Sequence, residues 1–411
     1  MGMKGFRDLP PGTTDLIQPR PSSASFAGPQ GPDARACSDA PQAASTERTD
    51  ARLHPVVING RFLTSRRTGV QRVAEELTIA LDELLGEGVG GGREYVLAVP
   101  ANAGPRQPLR HISVKAAGVM RGQRWEQLTL PRLARGALLL NLCNLGPLFK
   151  RDAITMIHDA QVFSAPTSYA SLFRLEYRLA HPLIGRLHSR VLTVSQFSKQ
   201  ELIRFGVARE ERITVIPNGA DHVLRWTSDT GPLAALELDG KPFVLALASV
   251  QRHKNIALLL KAFAQPELSG VKLVLFGSAS RADFLAQGWT VPDNVVFTGM
   301  ISDNAIRGLM ENAICLAFPS LTEGFGLPPV EAMTLGCPVV VAPAGALPET
   351  CGTAALYAAA DSPVAWRDAI LRLWRDPVFA AAQRAEGRAH AAKFTWRRSA
   401  EMLIEVLNAT A

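Results

Sequence analysis

One stretch of the sequence decides the fold, and it reads Pro319-Ser-Leu-Thr-Glu-Gly-Phe-Gly-Leu-Pro-Pro-Val-Glu-Ala-Met-Thr-Leu-Gly336. A strand is predicted to end near Pro319, and a loop with two glycines follows it. Pro328 and Pro329 suit the first turn of a helix, because that position does not need the N–H that proline lacks. The free N–H groups at such a helix start can bind an anion. The stretch therefore predicts a strand–loop–helix unit of a parallel α/β fold, with a ligand at the loop.

Two carboxylates flank this loop. Glu323 lies in the loop and Glu331 in the first turn of the helix, with seven residues between them. Gly324 and Gly326 let the backbone approach a ligand closely. Glu323 could then contact a sugar while Glu331 accepts hydrogen bonds from a ribose. Alternatively, Glu323 caps the helix and Glu331 interacts favourably with the helix dipole. The spacing by itself leaves both interpretations open.

The same alternation of strand and helix signals runs along the chain from Pro55 onward. Short runs rich in Val and Ile, such as residues 56–60 and 243–248, alternate with stretches of helical period such as residues 70–85. This pattern is typical of parallel sheets that are covered by helices on both faces. The predicted fold class is therefore α/β, with two doubly wound, Rossmann-like domains that face each other across a cleft.

Changes in composition predict the domain boundaries. Residues 1–54 contain seven prolines and few apolar residues, so a disordered tail is expected. The first domain is predicted to span 55–225, and the second 242–390. Between them, 226–241 lacks a long periodic run and is predicted to be a linker. The last segment, 391–411, is expected to form a helix that packs back towards the first domain.

The overall composition disfavours several classes of protein. The chain has 411 residues, of which 47% are apolar and 20% charged, as in an ordinary globular protein. No apolar run reaches the ~18 residues of a membrane-spanning helix, and no secretory signal is recognised. The five cysteines form no CxxC pair, which disfavours a zinc ribbon or a disulfide framework and favours the cytoplasm. The formal charge of +7 suits an anionic ligand or surface.

The E-x7-E spacing after an F-P-S strand end resembles the signature of glycosyltransferase family 4, whose members are retaining enzymes of the GT-B fold. Five other segments resemble parts of that family and occur in its order. They are Thr68-Gly-Val-Gln-Arg72, Val194-Ser-Gln-Phe-Ser198, Ile216-Pro-Asn-Gly-Ala-Asp221, Lys254-Asn255 and Phe394-Thr-Trp396. The overall pattern is most similar to bacterial exopolysaccharide and O-antigen mannosyltransferases.

The resemblance implies that the second domain binds a nucleotide sugar. Glu323 would bind hydroxyls of the donor sugar, and Glu331 the ribose of the nucleotide. Lys254 would neutralise the departing diphosphate. Arg252 would be the second cation, with His253 as the alternative. The donor-binding loop would consist of Gly324, Phe325, Gly326 and Leu327.

The resemblance also implies that the first domain binds the acceptor. Gly69, Arg72 and Ser195 would contact it. His158, which follows a predicted strand, would contact the donor sugar near its anomeric carbon, whereas the residues alone favour a structural hydrogen-bonding role. Asp159 is expected to cap the turn. The catalytic residues implied are therefore His158, Lys254 and Glu323.

The implied reaction moves a sugar from a nucleotide diphosphate sugar to a hydroxyl of a lipid-linked or soluble glycan in surface polysaccharide biosynthesis. GDP-mannose is the first choice of donor, and UDP-sugars remain alternatives. The departing diphosphate would itself take the acceptor proton. No cofactor and no metal are expected, because the chain contains no Asp-x-Asp motif. Cationic side chains would take the place of a metal.

Two other functions remain open. One is a nucleotide-sugar epimerase of the same fold, which would release no glycoside. The other is a non-catalytic basic protein that binds a membrane or nucleic acid. A nucleic-acid partner is not expected, because the ten Trp and Tyr residues are scattered rather than arranged in an aromatic–basic stripe.

A basic segment of the first domain suggests contact with a membrane. Between Leu172 and Arg212, eight basic residues oppose four acidic ones. Arg174 and Arg178 are one helical turn apart, and several leucines accompany them. The segment is either a core helix with a solvated outer face or a peripheral patch that attaches to the anionic inner face of the plasma membrane.

Overall fold

Two parallel β-sheets organise the part of the chain that the structure, a computed structural model, describes: residues 54–105 and 107–410. The first sheet contains β1 (Val56–Asn59), β2 (Tyr95–Val99), β3 (Ser113–Ala116), β4 (Leu138–Asn141), β5 (Ala153–Met156), β6 (Arg190–Thr193) and β7 (Ile213–Val215). The second contains β8 (Phe243–Leu247), β9 (Lys272–Phe276), β10 (Val295–Gly299), β11 (Leu316–Phe318), β12 (Val339–Val341) and β13 (Leu356–Tyr357). Except for His54, the predicted tail at 1–54 lies outside the described residues.

Each sheet reverses its strand order at one central pair. The orders are β3-β2-β1-β4-β5-β6-β7 and β10-β9-β8-β11-β12-β13. The switch points therefore lie between β1 and β4 and between β8 and β11. Ligands of doubly wound sheets bind at the carboxyl ends of the strands that flank such a point. The predicted α/β class, with two Rossmann-like domains, is confirmed.

Helices cover both sheets. They are α1 (Gly69–Gly86), α2 (Gly122–Arg124), α3 (Leu130–Leu133), α4 (Gln161–Ser164), α5 (Ser171–Leu187), α6 (Gln196–Arg204), α7 (Gly231–Ala235), α8 (Ile256–Phe263), α9 (Arg281–Ala286), α10 (Asp303–Asn312), α11 (Leu327–Thr334), α12 (Leu347–Cys351), α13 (Pro363–Arg375), α14 (Pro377–Ala391) and α15 (Trp396–Ala409). No helix in the described ranges is both long and apolar enough to cross a membrane.

The first sheet, β1–β7, with its helices is called the first half of the molecule, and the second sheet, β8–β13, with its helices the second half. The last helix, α15, packs in the core of the first half. Leu403 and Leu407 of α15 are buried in the same apolar cluster as Leu77 and Leu81 of α1. Burial of such leucine side chains stabilises the contact by about 1.5–3 kcal/mol each. The chain thus crosses from the second sheet back to the first, and this fixes the two halves at one end.

The structure differs from the sequence prediction in three places. The sequence of residues 125–135 predicts one helix, but a π-helical turn over Trp125–Thr129 separates α2 from α3 there. Strand β3 was missed, since all four of its residues are exposed and carry no buried apolar pattern. The short helix α7 lies within the segment predicted as a linker, because its five residues are too few to give a long periodic run.

Candidate active site

A cleft of about 900 Å³ lies at the carboxyl ends of the strands, and residues of both halves line it. The second half contributes segments that follow β8 and β11, the two strands at its switch point. The first half contributes segments that follow β1, β4 and β5, together with one side of α5. The cleft therefore occupies the position where both sheets would bind ligands.

An ion pair marks the second-half wall. The Nζ atom of Lys254, which follows β8, lies 2.7 Å from Oε1 of Glu323, which follows β11. Both side chains line the cleft and are largely buried. The Lys254 ammonium also lies 5.6 Å from the centre of the Phe318 ring. One cation and one carboxylate are thus held side by side at the switch point.

The loop between Glu323 and α11 is pressed against the first half. A Cβ atom on Gly324 would lie 2.5 Å from the carbonyl oxygen of His158, so only glycine fits there. The hydroxyl groups of Ser195 and Ser198 donate to the carbonyl of Gly324, at 2.6 and 3.0 Å. Gly326 has φ +88°, which favours glycine, and precedes the first turn of α11.

The lining of the cleft includes all four residues of the predicted donor loop, Gly324, Phe325, Gly326 and Leu327. Pro328 and Pro329 carry no N–H, and the N–H of Val330 donates to the carbonyl of Gly326, so the backbone donors here are those of the loop and of Leu327. The helix dipole adds a partial positive charge at this end. The loop and the helix start can therefore bind a diphosphate.

His158 is buried and neutral. Its Nε2–H donates to the carbonyl of Leu142 at 2.8 Å, and its backbone N–H donates to Oδ1 of Asn144. Burial lowers the pKa of His158 to about 4, so Nδ1 carries no proton at neutral pH and can only accept a hydrogen bond. Asp159 accepts from the N–H of Gln161 at 2.9 Å, which confirms its predicted capping role.

Glu331 lies behind the loop and is not among the residues that line the cleft. Its Oε1 accepts a hydrogen bond from Nε2 of the buried His222 at 3.0 Å. The indole N–H of Trp396 donates to Nδ1 of the same histidine at 3.0 Å. Because an indole can only donate, the His222 proton is fixed on Nε2 and points to Glu331. The Phe394-Thr-Trp396 segment thus orients the second glutamate, a role that no local sequence signal indicated.

Of the three residues that the resemblance assigns to the acceptor, Gly69, Arg72 and Ser195, only Gly69 is among the residues that line the cleft. Gly69 lines the cleft at the start of α1. Arg72 instead forms an ion pair with Asp303 of α10 at 2.6 Å, and its guanidinium lies 5.0 Å from the Trp226 ring. Ser195 is buried against Gly324, as described above. These two residues join the halves of the molecule.

Of the two candidates for the second cation, Arg252 and His253, only His253 lines the cleft. Arg252 is exposed and is not among the lining residues, whereas His253, the alternative, is buried in the lining. Burial lowers the pKa of His253 to about 4, and the Lys254 charge acts in the same direction. His253 is therefore neutral near pH 7 and offers a hydrogen bond rather than a charge.

Several lining residues were missed by sequence reasoning, and most of them are in the first half. Arg61 follows β1, Glu126 lies in the π-helical turn, and Tyr177 is on α5. They are far apart along the chain, and none belongs to a recognisable motif. The described residues contain no cluster of three or more His, Cys, Asp and Glu side chains that could hold a metal ion.

Comparisons with known proteins agree with this arrangement. Residues 91–224 match the family model Glycosyltransferase Family 4, and residues 234–390 match Glycosyl transferases group 1. The chain is 31% identical over 261 residues to O-antigen chain mannosyltransferase B of Escherichia coli; the alignment covers 59% of this chain and 67% of that protein. It is 28% identical over 234 residues to O-antigen chain mannosyltransferase RfbU of Salmonella typhimurium, covering 56% of this chain and 63% of that protein.

The fold is similar to that of HepE from Anabaena, solved in complex with UDP-glucose. The TM-score is 0.65 at 19% identity, and the superposition covers 87% of this chain and 100% of HepE. At this level of identity the similarity concerns the fold alone.

Proposed function

Because the chain belongs to glycosyltransferase family 4, with the GT-B fold, we propose that it transfers mannose from GDP-mannose to a hydroxyl of a lipid-linked glycan. The observation that carries this proposal is the pair Lys254–Glu323 beside the Gly324–Leu327 loop at the switch point of the second sheet. The choice of mannose rests on the two relatives, both of which are named mannosyltransferases.

In the proposed reaction, the bond between the anomeric carbon and the diphosphate oxygen breaks, and the acceptor oxygen bonds to the same face of that carbon. The acceptor proton goes to the departing diphosphate, so no protein nucleophile is needed. Lys254 and the loop N–H groups stabilise the negative charge on the diphosphate. Glu323 and the Nδ1 atom of His158 accept hydrogen bonds from sugar hydroxyls and hold the donor in place.

Glu331 is proposed, from the family resemblance, to bind the ribose hydroxyls through its second oxygen, because His222 occupies Oε1. Gly69 is proposed to lie beside the acceptor. We propose that the reaction is metal-independent, because Lys254 and the backbone donors supply the positive charge that a metal would otherwise supply.

We also propose that the outer side of α5 attaches the enzyme to the inner face of the plasma membrane, where a lipid-linked acceptor would be reached. Leu172, Leu175 and Leu179 lie on one face of this helix and are exposed by 79, 55 and 61%. Arg174 and Arg178 lie next to this face and suit an anionic lipid surface.

A transfer assay tests the proposed function. The full chain is incubated with GDP-mannose, UDP-glucose or UDP-galactose and a panel of octyl glycosides, with and without EDTA, and the products are analysed by mass spectrometry and NMR. We expect an octyl disaccharide from GDP-mannose with the donor's anomeric configuration, unchanged by EDTA. Products formed only from a UDP-sugar would overturn the donor assignment. Activity lost in EDTA and restored by magnesium or manganese would overturn metal independence, and an interconverted nucleotide sugar without any glycoside would point to the epimerase.

A further inference from the structure

The first-half wall of the cleft holds a buried carboxylate of which only one oxygen has a hydrogen-bond partner among the described residues. Glu126 is 1% exposed and lines the cleft. Its Oε1 accepts hydrogen bonds from Nδ2 of Asn59 at 2.7 Å and from Nε of Arg61 at 3.0 Å. Its Oε2 is buried and has no hydrogen-bond partner among the described residues. An unpaired buried charged oxygen is costly, so its presence in a cleft calls for a donor from outside the chain.

The backbone and its neighbours hold this carboxylate firmly. Glu126 lies in the π-helical turn Trp125–Thr129, a rare geometry that is frequently found at functional sites. Asn59, at the end of β1, also donates to Oδ1 of Asn141 at the end of β4 at 2.9 Å. Asn141 donates in turn to Thr155 on β5. A buried polar chain across the switch point of the first sheet thus fixes the Asn59 amide that orients Glu126.

A row of aromatic rings connects this carboxylate with the Lys254 side of the cleft. Neighbouring rings are stacked, with 6.2 Å between the ring centres of His253 and Tyr169, 5.7 Å between those of Tyr169 and Phe173, and 4.2 Å between those of Phe173 and Tyr177. All four rings line the cleft. Phe173 and Tyr177, the two members of the row on α5, lie one turn apart and about 100° or more around the helix from the exposed leucines at 172, 175 and 179.

The chemistry of this wall suits a neutral polyol. A carboxylate oxygen can only accept, so it needs a hydroxyl or amino donor, and it repels a phosphate. Its charge is balanced by Arg61, so a cationic ligand gains little. The row of rings offers the cleft an apolar surface, against which the C–H face of a sugar ring can pack. A saccharide supplies both the hydroxyl donor and the apolar face.

We propose that Glu126, with the ring row Tyr169–Phe173–Tyr177, is the subsite for the acceptor saccharide, and that Oε2 of Glu126 accepts a hydrogen bond from one of its hydroxyl groups. This inference rests on the proposed function, since it assigns the acceptor side of the same cleft. Glu126 is an acceptor-binding residue and takes no part in breaking the donor bond.

The test compares Glu126→Gln with wild type in two assays, transfer to an octyl glycoside and slow hydrolysis of GDP-mannose without acceptor. The Gln side chain keeps one acceptor for Asn59 but replaces the second oxygen by an NH₂ group. We expect KM for the glycoside to rise about tenfold or more, since a hydrogen bond to a charged group is lost. Hydrolysis of GDP-mannose and its KM should stay within twofold of wild type.

Two further variants complete the design. Phe173→Ala, at a partly exposed ring, should raise the acceptor KM without affecting the donor, and it leaves the buried polar chain intact. Glu311→Gln is the matched control, because Glu311 is also paired with an arginine, Arg307 at 2.7 Å, but lies outside the cleft lining. An acceptor KM that is unchanged in Glu126→Gln, or a defect confined to the donor, would overturn the subsite. A wild-type protein that consumes no GDP-mannose would instead refute the proposed function.

Discussion

In the second-half wall of the cleft, Lys254 and Glu323 follow β8 and β11, two adjacent central strands. The predicted donor loop, Gly324–Leu327, is one continuous segment of the sequence. The first-half wall takes Arg61, Glu126 and Tyr177 from three elements that are up to 116 positions apart in the chain. On the second wall, the cation and the carboxylate satisfy each other. On the first, a carboxylate oxygen is left without a partner.

This difference suggests a division of labour. A wall that must stabilise a developing charge needs a cation and backbone donors in fixed positions, which one short loop supplies. A wall that recognises a variable polyol needs a shaped surface with a few separate polar atoms, which any set of elements can supply. Substitutions on the two walls should therefore separate donor turnover from acceptor affinity.

The largest effect is expected for Lys254→Ala. The change removes the only cation that contacts Glu323 among the described ion pairs. It also removes the charge that we propose stabilises the departing diphosphate. We expect turnover to fall by about 10²–10³-fold, the usual cost of removing one such donor. Hydrolysis of GDP-mannose and transfer to an octyl glycoside should fall together, in contrast to Glu126→Gln. Lys261→Ala, at an exposed position of α8, serves as the control. A rate within threefold of wild type would exclude Lys254 from the charge-stabilising role.

Gly324→Ala tests whether the two walls must touch. The new Cβ would lie 2.5 Å from the His158 carbonyl oxygen and 2.8 Å from Cβ of Asp159, so the loop has to move away from the first half. We expect overpacking of this kind to cost about 1–3 kcal/mol and to lower the melting temperature and transfer rate together. In the control Gly270→Ala, the new Cβ meets Trp374 at an ordinary 3.8 Å. Equal melting temperatures and rates in the two variants would show that the contact between the walls is dispensable.

The contrast between the walls also explains what the sequence could predict. The Gly324–Leu327 loop and its glutamates are readable because strand end, glycines and helix start follow one another within one segment. Glu126 could not be found, because its role depends on Asn59, which is 67 positions away and is brought to it by the pairing of β1 with β4. Arg72 was assigned to the acceptor from a local motif, but its partner Asp303 belongs to the other half. The doubly wound class was predicted correctly from the alternation of strand and helix signals, whereas the exposed edge strand β3 left no apolar pattern.

Acid should weaken the first half more than the second. Burial lowers the pKa of His158, His181 and His188 to about 4 in the first half, and of His253 in the second. In the unfolded chain these groups titrate near 6.5, so the unfolded state binds more protons between pH 6.5 and 4. The contribution of these neutral, buried histidines to the free energy of unfolding is therefore fully present above pH 6.5 and is lost as the pH falls towards 4.

Amide hydrogen exchange at pH 7 and pH 5, corrected for intrinsic rates, measures this effect. We expect protection in β4, β5 and β6 to fall more than protection in β8, β9 and β11. His181→Phe removes one titrating group at a site where the ring already packs against Phe163 and Tyr177, so it should reduce the acid sensitivity. An equal loss of protection in both sheets, or an unaltered pH dependence in the variant, would contradict this interpretation.

The smallest effect is expected on the outer side of the first half, where α5 turns its leucines away from the cleft. If this face attaches to lipid, the double reversal Arg174→Glu and Arg178→Glu should weaken binding to anionic liposomes, because each basic residue near such a surface contributes about 1 kcal/mol. Arg135→Glu with Arg375→Glu, two exposed positions outside the basic segment, changes the net charge equally and serves as the control. Liposome sedimentation at low salt should show a loss for the α5 variant only, and transfer to a soluble octyl glycoside should be the same in both.

Because the leucine face is apolar, Leu175→Ser with Leu179→Ser should also reduce binding, and this loss should persist at high salt, where the charge contribution is screened. If wild type does not sediment with such liposomes, or both charge variants lose binding equally, then net charge rather than this helix face governs any attachment.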